Sequence, residues 1–169
     1  MENTLRKFNK DNMDKVLNIA GQHLANRLAE LTRDRVTLVP VPNSHACVGK
    51  TPDFRTLKLA EAIAANSNGQ AVAQPAFLWR KAKERQHQST GYRHASQFIP
   101  NLYATAPVRS PVVIIDDMVT SGSQMLACTY LLRKAGVEVP FGMAVGRVSY
   151  VQTSTTLAWS EQTIEQHIL

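Results

Sequence analysis

The chain has 169 residues, 44% hydrophobic and 19% charged, with a net charge of +6, a mixture that makes one soluble domain able to bury a core without disulfides or a structural metal. Its two cysteines, Cys47 and Cys128, form no CxxC pair, which argues against zinc ribbons and dithiol redox motifs and suits a reducing compartment. The N-terminus has no apolar leader and no apolar run approaches the ~20 residues that span a bilayer, so the expectation is a cytoplasmic protein with no membrane partner.

Asp11 is placed to cap a helix running to about Leu31, in which Met13, Val16, Leu17, Ala20, Leu24, Leu28 and Leu31 recur at helical spacing and make one apolar face. The breadth of that face leaves room for a homodimer through the first helix. Val36 to Val41 is a short β-branched run that predicts a buried strand, and Pro40 and Pro42 mark its end. A loop of small and polar residues, 43–52, leads to a second helix from Asp53 to about Asn66, with Leu57, Ala60, Ile63 and Ala64 inside. Gln70 to Trp79 reads as another strand, made irregular or an edge by Pro75.

Next comes a basic segment. Arg80, Lys81, Lys83, Arg85 and Arg93 face one acid, Glu84, a local charge of +4. Such a field attracts anions, and by itself it is also what a solvated loop looks like. Val112 to Ile115 is four β-branched residues in a row, a strand buried on both faces. A Thr-Ser-Gly-Ser turn opens a helix to about Ala135, ended by Gly136; Val137 to Val148 fits a further strand and Leu157 to Leu169 a short terminal helix. Strands alternating with helices predict an α/β fold with a central, mostly parallel sheet flanked by helices. The whole chain, 1–169, is read as one domain with a core of about 36–148, an N-terminal helix over 11–31 and a tail over 151–169. In such sheets ligands bind at the carboxyl ends of the strands, so the loops after Val41 and after Ile115 matter most.

The run Val112 to Ser123 (VVIIDDMVTSGS) carries the chemistry. A buried strand delivers Asp116 and Asp117, and a small-residue turn then opens a helix. The first amides of a helix lack internal partners and sit at the positive end of its dipole, so Thr120, Ser121, Gly122 and Ser123 can wrap a phosphate. Two acids beside an anion nest would repel that phosphate directly. They make sense when a sugar diol, or hydrated Mg²⁺, lies between. A ribose 5-phosphate fits that requirement.

The same run resembles the 5-phosphoribosyl-1-pyrophosphate (PRPP) motif of type I phosphoribosyltransferases: four hydrophobic residues, two acids, any residue, a hydrophobic residue, then hydroxyl, hydroxyl, glycine, hydroxyl, with all twelve positions matching. Leu38 to Pro42 (LVPVP) and the run Arg85 to Ser89 (RQHQS), followed by Arg93 and Phe98, are similar to the ComF-like (competence protein F-like) branch, and the likeness covers about 36–148. The chain departs from that branch in having no cysteine-rich N-terminal zinc finger. Asp53-Phe54-Arg55 stands near the place where an arginine-glycine-phenylalanine-asparagine signature is expected.

The resemblance implies a type I phosphoribosyltransferase fold with a flexible basic arm and a small C-terminal hood, and a reaction in which a nitrogen nucleophile attacks C1 of PRPP and pyrophosphate leaves. Asp116 and Asp117 would hold the ribose hydroxyls, reach Mg²⁺ through water and favour the cationic ribose of the transition state. The turn Val119, Thr120, Ser121, Gly122, Ser123 would bind the 5-phosphate. Pro42, Asn43 and Ser44 would face pyrophosphate, together with Arg80, Lys83 and Arg85 on an arm closing as a lid, with Arg85 the catalytic candidate among them. Trp159 would either stack on a nucleobase or pack the tail onto the core. The acceptor, a nucleobase or an amine, is not identified by any residue.

Two other readings use the same residues. A non-enzymatic PRPP or nucleotide sensor, or a nucleic-acid-binding protein tied to DNA uptake or recombination, would keep the fold and use the basic face; its binding would be steeply salt-dependent. Ser44 to Thr51 (SHACVGKT) approaches the phosphate loop of a P-loop NTPase, with Ser44 in place of the first glycine. That reading leaves Thr120 to Ser123 without a purpose.

Overall fold

Apolar residues at helical spacing build α1 (Lys10–Leu31), whose buried seam is Leu17, Leu24, Ala25 and Leu28. The computed structural model describes residues 10–82, 94–148 and 159–165. After α1 the chain forms β1 (Val36–Pro40), α2 (Arg55–Asn66), β2 (Ala71–Ala73), β3 (Phe77–Trp79), two short 3₁₀ turns (Ala95–Gln97 and Ile99–Asn101), β4 (Leu102–Ala104), β5 (Val112–Val119), α3 (Ser123–Lys134) and β6 (Phe141–Arg147). No described helix is long and apolar enough to cross a membrane.

The fold is α/β. Its main sheet runs β2-β1-β5-β6 and every neighbouring pair in it is parallel. β1 and β5 are joined in the register Thr37↔Val112 to Pro40↔Ile115, and the Val41 N–H extends the ladder to the Ile115 carbonyl at 2.8 Å. β1 continues through α2 to β2 on one side, whereas β5 continues through α3 to β6 on the other. The strand order therefore reverses between β1 and β5. A crevice opens at such a switch point, bordered here by the loops after Val41 and after Val119.

The sheet is buried on both faces, which is why β5 reads as an unbroken apolar run. Val113 and Ile115 pack with Leu38 under α1 and α2, against Leu24, Leu28, Leu59 and Ile63. Val112 and Ile114 point the other way, with Val39, to Ala127, Cys128 and Leu132 of α3 and to the small antiparallel pair β3-β4. Helices α1 and α2 meet closely at Gly21, where a Cβ would come within 2.6 Å of the Ala62 Cβ.

Four expectations from the sequence need correction. Asp11 lies within α1 and does not precede it. Val16 and Leu31 face solvent, because the seam toward α2 is narrower than the apolar stripe in the sequence; Ile19 is exposed as well. Gln70 to Trp79 is two strands in two different sheets, since Pro75 turns the chain out of the main sheet and its carbonyl accepts from the Thr105 hydroxyl at 2.7 Å. Residues 159–165 carry no helix, and the rest of the expected terminal helix lies outside the described residues.

Candidate functional site

β5 carries both acids within the strand, where Asp116 sits opposite Ala144 of β6. Neighbouring residues on a strand point to opposite faces. Asp116 shares the parity of Ile114 and lies on the α3 side, near the Cys128 thiol, whose pKa is raised first by burial and then by the Asp116 charge. Asp117 shares the parity of Ile115 and lies on the α2 side, where the Arg55 guanidinium pairs with its Oδ2. The two carboxylates therefore straddle the strand at its exit.

The backbone holds both acids in place. Asp116 Oδ1 accepts the Asp117 N–H at 2.8 Å, and Asp117 Oδ1 accepts the Met118 N–H at 2.8 Å. Burial pushes the Asp116 carboxyl up to about 7, with the Asp117 charge adding to the rise and the Arg55 charge opposing it. A cation or a hydroxyl donor beside such a carboxyl would favour its charged form.

The turn after β5 is the one that the sequence marks for a phosphate. Gly122, the residue before α3, has φ 75° and ψ 2°, a left-handed conformation that favours glycine. It gives α3 no side-chain cap, and the first turn of that helix holds no acid. Ser121 and Ser123 place their hydroxyl oxygens 2.8 Å apart across the turn, while Thr120 is exposed. Val119 is buried beneath, and the Val148 N–H donates to its carbonyl at 2.9 Å. The tail crosses this turn: Ile164 lies where a Gly122 side chain would point, 2.5 Å from an ideal Cβ.

The loop after β1 is pinned by groups that the sequence assigned elsewhere. The Trp79 indole N–H, fully buried, reaches the carbonyls of both Pro42 and Asn43 at 3.0 Å. The Asn43 Oδ1 accepts the Thr56 N–H at 3.2 Å, capping α2 from a distance because Phe54, the residue before that helix, makes no side-chain cap bond. The Thr56 hydroxyl donates to the Val41 carbonyl. Pro42 and Asn43 thus fix the loop, with Ser44 half-buried beside them.

The remaining candidates separate in space. Arg80 follows β3 directly, with its guanidinium 5.0 Å from the Tyr103 ring centre and exposed to solvent. Lys83 and Arg85 lie outside the described residues. Trp159 is 54% exposed and stacks under Arg27 of α1 at 5.8 Å, and Glu161 pairs with that same arginine at 3.0 Å. The P-loop-like run does not open a helix: Lys50 and Thr51 are exposed, and α2 starts only at Arg55. Sequence reasoning missed Arg55 as the partner of Asp117. Its signal was an arginine at the first position of the helix that follows the first strand.

Among the described residues no three His, Cys, Asp or Glu side chains group to hold a metal. Two carboxylates do suit Mg²⁺, which keeps several waters and takes one or two carboxylates plus substrate oxygens. The donor set at Asp116 and Asp117 fits that ion and no all-protein cage.

No family profile matches the sequence, and no curated protein matches it. Solved structures do resemble the chain in three dimensions. Adenine phosphoribosyltransferase from Saccharomyces cerevisiae, complexed with an imino-altritol bisphosphate and adenine, is 15% identical with a TM-score of 0.45, over 83% of this chain and 70% of that one. A second adenine phosphoribosyltransferase is 15% identical with a TM-score of 0.47, over 84% and 73%. UMP synthase of Leishmania donovani is 14% identical with a TM-score of 0.44, over 79% of this chain and 27% of that one.

Proposed function

We propose that this protein binds Mg²⁺–PRPP at the exit of β5 and transfers its phosphoribosyl group to a nitrogen acceptor. One observation carries the reading: an acid pair at the end of a doubly buried strand leads directly into a left-handed glycine turn and a helix N-terminus, at the switch point of a parallel sheet. The acids can serve a diol and the turn a few residues further along the chain a phosphate, the two groups that a ribose 5-phosphate carries.

In this reading the Val119 to Ser123 turn holds the 5-phosphate, and Asp116 and Asp117 hold the 2- and 3-hydroxyls. Mg²⁺, when bound, neutralises the pyrophosphate leaving group. The bond from C1 to the pyrophosphate oxygen breaks, and the electron pair leaves with that oxygen. A bond from C1 to the acceptor nitrogen forms, and the nitrogen gives up its proton. The acids' negative charge lies near the ribose as it becomes cationic. The acceptor class is a nucleobase or an amine, and the branch proposed is the ComF-like one.

Calorimetric titration of Mg²⁺–PRPP into the wild-type protein and into the Asp116→Asn/Asp117→Asn double variant tests the site. Binding by the wild type that the double variant loses is the expected result. Equal binding by both, or none by the wild type, refutes it. Pyrophosphate release on adding bases or amines then separates a transferase from a sensor that only binds.

A further inference from the structure

Arg55 is the one cation that touches the acid pair among the described residues. Its Nε and Nη2 both address Asp117 Oδ2, while Asp117 Oδ1 is taken by the Met118 N–H. Both oxygens of Asp117 are therefore engaged. A sugar hydroxyl or a metal-bound water that needs Oδ2 has to displace the guanidinium or share the oxygen with it.

The setting allows displacement. The Arg55 side chain is 53% exposed, against 17% for Asp117. Arg55 also lines an open groove of about 290 Å³ between the N-terminal parts of α1 and α2, with Met13, Leu17 and Phe54 and the charged Asp14, Asp53 and Lys58. The backbone at this point is fixed, because the next residue, Thr56, is tied to Val41 and Asn43. The side chain can swing while its Cα stays in place. Arg55 lies on the exposed side of the pair while Asp117 is largely shielded, so the exchange costs little only where an incoming cation replaces the guanidinium.

Charge decides where the guanidinium goes. Mg²⁺ supplies the cation that Asp117 loses. A diphosphate on the ligand brings more negative charge to the same mouth and has oxygens that a two-donor guanidinium recognises. We propose that Arg55 is an exchangeable counter-cation: it holds Asp117 in the ligand-free protein, yields it to the sugar diol and hydrated Mg²⁺, and turns onto the diphosphate of the incoming ligand. This rests on the phosphoribosyl reading of the site and adds a specificity determinant to it. A sugar phosphate without the diphosphate must still displace Arg55 and receives nothing in return.

The test is the ratio of two affinities, Mg²⁺–PRPP over Mg²⁺–ribose 5-phosphate, measured by calorimetry on wild type, Arg55→Ala and Arg55→Lys. In Arg55→Ala, PRPP should bind roughly tenfold more weakly, the scale of one charge-assisted contact, and ribose 5-phosphate should bind at least as well as before. The ratio should then fall by at least that factor, and Arg55→Lys should keep part of it. Equal losses for both ligands would make Arg55 a mere positioner of Asp117 and overturn the proposal; no change in either would overturn it too. If the wild type binds neither sugar phosphate, the phosphoribosyl reading itself fails. Titration with Mg²⁺ alone, followed at the Met118 amide by NMR, then decides the exchange: tighter binding by Arg55→Ala upholds it, and unchanged or weaker binding overturns it.

Discussion

Replacing Asp116 with asparagine removes a charge that the folded chain holds at a cost, so the substitution should stabilise the protein above neutral pH. The carboxyl has a pKa of about 7 in the fold instead of 3.8, because β5, β6 and α3 bury it and Asp117 lies beside it. Each tenfold change in a protonation constant is worth about 1.4 kcal/mol, so ionising Asp116 in the native state costs about 4 kcal/mol relative to the unfolded chain. The sign follows from proton counting. Between about pH 4 and pH 7 the native state keeps a proton that the unfolded state has released, so stability falls as pH rises through that window. Below it, both states hold the proton and the cost vanishes. The charged groups that face this carboxyl are Asp117, which raises its pKa, and Arg55, which lowers it; Cys128 lies on its α3 side with a thiol that burial keeps protonated.

Urea unfolding of wild type and Asp116→Asn at about pH 4 and about pH 8 reads this directly. The two proteins should have similar midpoints at the acid end. The variant should be more stable by up to about 4 kcal/mol at the alkaline end, with an unchanged denaturant slope. A constant offset at both pH values would mean that the substitution alters packing or the hydrogen bond to the Asp117 N–H, and that Asp116 is not held protonated. A wild type that gains stability relative to the variant as pH rises would reverse the sign and refute the argument outright.

Two further substitutions probe the loops that border the site. Gly122→Ala should lower stability by about 1–3 kcal/mol, part from its left-handed backbone and part from Ile164 in the added methyl's place. The double variant with Ile164→Ala should recover the second part only, as thermal unfolding would register. Trp79→Phe keeps a buried aromatic but leaves the Pro42 and Asn43 carbonyls without the indole N–H, at a cost of about 1–3 kcal/mol. Hydrogen exchange should quicken first in the loop between β1 and α2; uniform quickening across the sheet would refute the pinning role given to the indole.

Much of the site was legible because it is local. The apolar run of β5, its two acids and the hydroxyl-glycine turn are contiguous, and each residue type limits what the backbone can do there. Helices α1 and α2 were legible from periodicity, yet which apolar residues they bury depends on the neighbour: Val16 and Leu31 belong to the stripe but miss the seam toward α2. The split between β2 and β3 was not legible. Both halves are apolar, and only pairing assigns one to β1 and the other to β4. β4 itself is three residues long, and its identity comes from Phe77, Leu78 and Trp79 across the ladder. Arg55 was hidden for the same reason. Its partner is 62 positions away and shares no local pattern with it.

The energetics of the acid pair account for the architecture around it. A carboxyl that costs folding energy when ionised survives only where the surrounding structure holds it in place. Here that structure is a central strand with Val112, Val113, Ile114 and Ile115 almost wholly buried, so the exit of β5 cannot relax by fraying. The cost is lowered on one side by the Arg55 guanidinium and on the other by the Asp117 N–H. A divalent cation or a hydroxyl-bearing ligand at the exit would lower it further, and that difference is free energy available for binding. On the proposed reading, the ligand would bind partly because it relieves that cost. The Asp116→Asn variant should show this as a trade: the more stable protein above neutral pH should be the weaker binder, and a variant that gained stability with no loss of Mg²⁺–PRPP affinity would remove Asp116 from the site.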